Sequence, residues 1–192
     1  MKQTNSEARF RLVATAADML RRRGLKATSI RDLAKVANAP LGSTYHYFPG
    51  GKQQVVNEAI VYAGEKILQG LRSELRAGPV EGLHGFLAQW RRTITKTDFR
   101  AGCPVIAVTI EEPTPETAAA LETAANVLST WENLLADSLR EHGADEQSAK
   151  ELATLIISSV EGALMMCRAK RDTTPLDYVS AQLEKLIRAA IS

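Results

Sequence analysis

The chain is poor in cysteine, in aromatics and in long apolar runs, and each shortage removes a class of protein. Two cysteines in 192 residues, Cys103 and Cys167, are too few for a disulfide framework, and neither stands in a metal-ligand spacing. They are expected to be reduced, partly buried thiols in a cytosolic protein. Aromatics make up 5% of the residues while Ala and Leu are plentiful, which favours helices over a β-rich fold. No stretch approaches 18 apolar residues, so no membrane-spanning segment and no membrane partner are expected. The first apolar residues are broken by charges, unlike a signal peptide. There is no Gly-rich phosphate loop of the P-loop or dinucleotide type. His46, His84 and His142 fall in no metal spacing, and Cys103, next to Pro104, has no histidine in sequence relation to it. The expectation is therefore a protein that is not an enzyme and has no cofactor or metal.

What is present is a chain that is 45% hydrophobic, enough for a sizeable core, with helical spacing nearly throughout. Its charge is unevenly distributed. Residues 1–55 hold ten Lys/Arg against three Asp/Glu, whereas residues 56–192 hold fourteen against nineteen. A basic N-terminal segment beside an acidic remainder points to a polyanion partner at one end; a cluster of solvated arginines reads the same on charge alone.

The helices follow from spacing and punctuation. Phe10, Val13, Ala17 and Leu20 form the inner stripe of a helix over 5–23, closed by Arg21-Arg22-Arg23 and Gly24. Ser29 to Asp32 has capping-box spacing and opens a helix whose inner face is Ile30, Leu33, Ala34 and Ala37. Asn38 suits a left-handed turn residue, and Pro40 stands at or just before the next helix, which runs to about Phe48. Pro49-Gly50-Gly51 ends it. Longer helices are expected from Lys52 to about Arg76, over 80–97, from Glu116 to His142, from Asp145 or Glu146 to Lys170, and from Thr174-Pro175 to about Ile191. Val105–Ile110 is too short for periodicity to separate strand from helix; its helical surroundings favour helix. The result is an all-α fold of about nine helices, organised as 1–52 and 53–192.

Two short helices around a tight turn, the second rich in hydroxyls and aromatics, have the layout of a helix-turn-helix. Gly42 permits close approach to a sugar-phosphate backbone. Ser43, Thr44, Tyr45, His46 and Tyr47 offer hydrogen bonds to phosphates or base edges. Lys52 opens the following helix, where its charge and free N–H groups suit a phosphate. Thr28-Ser29-Ile30-Arg31-Asp32-Leu33-Ala34, Ala37-Asn38, Gly42-Ser43-Thr44-Tyr45-His46-Tyr47-Phe48 and Lys52 together resemble the N-terminal domain of TetR-type transcriptional repressors. The Tyr-Phe-Pro-Gly-Gly-Lys run and the later Gly-Cys-Pro resemble the LmrA/YxaF-like branch. The resemblance implies a cytoplasmic homodimer that binds double-stranded DNA through Ser29, Gly42, Ser43, Thr44, Tyr45, His46, Tyr47 and Lys52, and is released by a small molecule.

The remaining helices offer candidates for the other two tasks. Phe86, Trp90, Cys103, Ile106, Ile110, Trp131, Glu161 and Met165 are candidate lining for an apolar effector cavity; each is also suited to plain core, and Glu161 to solvent. Leu152, Ile156, Ser159, Val160 and Ala163, with Val179, Leu183 and Leu186 of the last helix, form a stripe suited to a four-helix dimer interface or to burial within one chain. Two functional alternatives differ in class: a nonspecific DNA-binding protein, and a helical ligand-binding module without operator recognition.

Overall fold

The computed structural model describes residues 2–192, with side chains from Ser6 onward, and shows nine α-helices and no strand among them. They are α1 (Lys2–Arg23), α2 (Ile30–Val36), α3 (Leu41–Tyr47), α4 (Gly51–Leu75), α5 (Pro79–Lys96), α6 (Ile106–Thr109), α7 (Ala118–Glu141), α8 (Glu146–Lys170) and α9 (Thr174–Ala190). The short apolar run after Pro104 is a helix, though of only four residues. The chain forms two compact units, one of residues 1–65 and 103–127 and the other of 66–102 and 128–192. All of residues 1–52 belong to the first.

The core of the first unit begins on α1, where Leu12, Val13, Ala16, Ala17, Met19 and Leu20 are buried. Gly24 ends the helix with φ +78°. Ile30, Leu33 and Ala34 pack inward from α2, and Val55, Val56, Ala59, Ile60 and Ala63 from the first half of α4. Each such Leu, Ile or Val contributes about 1.5–3 kcal/mol through burial. A Cβ on Gly64 would lie 2.6 Å from Val127 Cγ1, so α4 and α7 meet where no side chain fits. Phe10 departs from the expected inner stripe. It is 55% exposed and packs edge-on against Tyr62, with ring centroids 5.3 Å apart.

In the second unit α5 packs on α8 and α9, and α8 on α9. The buried face of α5 is Val80, Leu83, Phe86, Leu87, Trp90 and Ile94, at three- and four-residue steps. Leu152, Ile156, Val160, Ala163 and Cys167 bury the matching side of α8, and Leu176, Leu183 and Ile187 that of α9. Asp145 caps α8, its carboxylate accepting the N–H groups of Gln147 and Ser148 at 3.0 Å each. Arg91 ties α5 to α9 through Thr173 Oγ1 at 2.6 Å and through Asp177. Both cysteines are buried and unbridged, and burial pushes the Cys167 thiol upward. By length and composition α8 is apolar enough to cross a membrane, although no uninterrupted apolar run of that length occurs; half of its apolar window is buried inside the fold, the placement of a core helix.

Candidate nucleic-acid interface

The helix-turn-helix is built from local rules. Ser29 caps α2 by accepting the Asp32 N–H at 3.0 Å. The Asp32 carboxylate, on a side chain shorter than the usual Glu of a capping box, accepts a hydrogen bond from the Ser29 hydroxyl at 2.6 Å. Ser29 is thus committed to its own helix, and a side-chain bond to an outside phosphate would first have to break the Asp32 contact. After Val36 the chain turns through Asn38 at φ 49°, the left-handed conformation that Asn tolerates better than most residues. The Ala39 N–H donates to Ala34 O at 2.9 Å and closes the turn. Pro40, extended at φ −61° and ψ 134°, then delivers the chain into α3.

Two residues anchor α3. Thr44 and Phe48 are both fully buried. The Thr44 hydroxyl donates to Pro40 O at 3.2 Å, and the Arg9 guanidinium lies 5.1 Å from the Phe48 ring centre. Thr44, expected among the DNA contacts, is therefore corrected to an anchoring residue: its side chain lies on the inner side of the helix it was expected to equip. The helical period then leaves Leu41, Gly42, Tyr45 and His46 exposed, with Ser43 and Tyr47 at the edges. Tyr45 is 54% exposed, high for an aromatic ring on a seven-residue helix. A Cβ on Gly42 would meet nothing within 4 Å, so nothing inside the fold requires glycine there.

One basic residue follows this surface in sequence, and another is brought beside it from elsewhere in the chain. Lys52, exposed at the start of α4, has its ammonium pKa pulled below the ordinary lysine value by partial desolvation, against the opposing charge of Glu111. Arg11 of α1 was missed by motif reasoning. It lines a cleft of about 120 Å³ together with Asn38, Pro40, Ser43 and Tyr47. Only the charge count pointed to it; that α1 brings it beside α3 is a tertiary fact.

The other candidate sets are divided. Phe86, Trp90, Trp131 and Glu161 are buried in the second unit, the rings of Phe86 and Trp90 meeting edge-on at 6.2 Å. Glu161 therefore does not face solvent. Cys103 is buried and Ile106 half-buried in the first unit. Ile110 and Met165 are 69% and 55% exposed, and both are corrected to surface positions. The interface stripe is also corrected. Leu152, Ile156, Val160, Ala163 and Leu183 are buried within their own unit, with Ser159 and Val179 half-buried, and of that set Leu186 alone is exposed. The open side of α8 lies one residue over, where Leu155, Met165 and Met166 are exposed.

The N-terminal family profile, "Bacterial regulatory proteins, tetR family", matches residues 12–59. The profile "Transcriptional regulator LmrA/YxaF-like, C-terminal domain" matches residues 79–182. An HTH-type transcriptional regulator of Mycobacterium tuberculosis is 40% identical over 187 residues, 95% of each chain. The HTH-type regulator YxaF of Bacillus subtilis is 32% identical, covering 96% of this chain and 97% of its own. A TetR regulatory protein from Rhodobacter sphaeroides superposes with a TM-score of 0.83 at 22% identity, over 93% of this chain and 98% of that one. A helix-turn-helix on a buried footing, followed by a long helical region of matching sequence, places this chain in the TetR family of bacterial transcriptional regulators, a non-enzymatic class, with a C-terminal region of the LmrA/YxaF-like type.

Proposed function

We propose that a homodimer of this chain reads a near-palindromic DNA operator with α3, represses transcription from it, and is released by an apolar small molecule. The observation that carries the reading is α3 itself. Thr44 and Phe48 fix it from below, while Gly42, Tyr45 and His46 stand open to a partner. In this reading Ser43, Tyr45 and His46 meet base edges, and Gly42 lets a sugar-phosphate strand close in. Tyr47, Lys52 and Arg11 hold phosphates. A lysine at a helix N-terminus faces the positive end of the dipole, and a phosphate seated there relieves that arrangement.

The dimer is assigned to the exposed side of α8 and α9: Leu155, Met165 and Met166 with Tyr178 and Leu186. Gly162 lies between them with open space where its Cβ would be, so two such helices can approach closely. Residues 1–52 form the reading head in this scheme, and residues 53–192 carry dimerisation and the effector site around Phe86, Trp90, Trp131 and Glu161. The protein acts in the cytoplasm, where its DNA is. The effector shifts the dimer away from its DNA-competent state by no more than its difference in affinity for the two states.

Selection from a pool of randomised duplexes, followed by anisotropy titration, tests the proposal. The expected result is an inverted-repeat consensus bound at least 100-fold tighter than a scrambled duplex. Equal binding to both identifies a nonspecific DNA-binding protein, and no binding to either a ligand module.

A further inference from the structure

We infer, resting on the proposed role of α3 as the helix that enters the major groove, that Leu41 and Tyr45 read thymine through its C5-methyl group. Leu41 opens α3, is exposed, and belongs to neither the core nor the cap of that helix. Tyr45 stands one turn further on and is exposed as well. Residues four apart on a helix share a face, with Cβ atoms about 5–6 Å apart, so the two side chains form one ridge.

A lone exposed apolar residue is ordinary on a protein surface. The rest of α3 gives this pair its meaning. The helix reads Leu-Gly-Ser-Thr-Tyr-His-Tyr and contains no Arg, Lys, Asn, Gln, Asp or Glu. The bidentate pairings that fix guanine and adenine, and the carboxylate that accepts from cytosine N4, are therefore missing from it. Thr44 is turned inward, which leaves His46 and the hydroxyls of Ser43, Tyr45 and Tyr47 for hydrogen bonding. A hydroxyl serves donors and acceptors alike and discriminates weakly between bases. The methyl of thymine is the apolar feature that a base pair presents in the major groove, and it is the feature an apolar ridge matches.

The test starts from the inverted repeat selected with the full-length protein. Thymines of its two half-sites are replaced in symmetric pairs by deoxyuridine, which removes the methyl and keeps every Watson–Crick hydrogen bond, and each duplex is titrated by anisotropy. Hiding one methyl from water is worth about fourfold in affinity, so the pair that Leu41 meets should weaken binding about fifteenfold. Leu41→Ala should bring the thymine-to-uracil ratio at that position within about twofold of one, and the double variant Leu41→Ala, Tyr45→Ala should do so at every position. A uniform loss of affinity leaves that ratio unmoved. Because Leu41 is exposed, its replacement should keep the melting temperature within about 2 °C. Uracil that is neutral at every position, selected half-sites without thymine, or a full preference that survives Leu41→Ala would overturn the inference; the last would mark an effect of the methyl on duplex shape. Those results leave operator recognition standing, whereas a selection that yields no preferred duplex removes both.

Discussion

Glycine inside a helix costs about 0.5–1 kcal/mol relative to alanine, and at Gly42 the fold provides no steric reason to bear that cost. Gly42→Ala is therefore expected to stabilise the protein by roughly that amount in urea unfolding while weakening operator binding tenfold or more in anisotropy titrations. A variant as tight as the wild type would remove the close-approach role from Gly42. Thr44→Val makes the opposite case. It loses the hydroxyl bond to Pro40 O in a fully buried position, so stability should fall by about 1 kcal/mol, with the exposed side of α3 intact. Operator affinity measured well below the melting point should stay within about twofold, a change of some 0.4 kcal/mol. Arg11→Ala tests the basic residue that only the folded chain brings to α3. Each protomer then gives up one phosphate partner, so the salt dependence of log K for the dimer should flatten by roughly 2. An unchanged slope would leave Arg11 outside the interface.

Most elements were legible in the sequence because their signals are local. Asn38 was expected in a left-handed turn and has φ 49°; Ser29 was expected to cap α2 and does. The errors lie where a helix face had to be chosen. On α8, residues 152, 156, 160 and 163 and residues 155, 158, 162 and 166 both follow helical steps through apolar or small residues, and periodicity cannot say which side meets α5 and α9. The fold buries the first row. Val160→Ala should accordingly cost about 2 kcal/mol of stability without changing oligomeric state. Leu155→Glu should shift a sedimenting dimer toward monomer with little change in the monomer's own stability; a Leu155→Glu protein that remains dimeric would move the interface elsewhere. The same ambiguity misplaced Thr44 and Met165, Ile110 is exposed just past the end of α6, and Arg11 was invisible because its partners are far away in sequence. The start of α8 is also expected to respond to acid. Hydrogen bonds to Asp145, from Ser148 foremost, hold its carboxyl below the ordinary aspartate value. A carboxyl lowered by folding contributes stability above its unfolded pKa, and that contribution fades as pH falls through the folded one. Helicity followed by circular dichroism should therefore decline in that acid window, and Asp145→Ala should lose this part of the decline.

At the level of the molecule, the uneven charge of the sequence gains a location. Arg11 lines the cleft beside α3 and Lys52 stands in the first turn of the next helix, while the acidic excess falls in the rest of the chain. Such a distribution steers one end toward a polyanion and makes binding fall steeply with salt, but salt-steep binding alone does not separate a regulator from a nonspecific coat. Sequence discrimination does, because base edges can be read only if α3 enters the groove. The most direct test is titration of a fluorescent duplex carrying the selected inverted repeat, at physiological salt, against a duplex of the same composition with its two half-sites scrambled. The account predicts one dimer per duplex, at least 100-fold tighter on the intact repeat, with Tyr45→Ala and His46→Ala reducing that ratio. Indistinguishable affinity for the two duplexes, or discrimination unaltered when both Tyr45 and His46 are replaced, would contradict it.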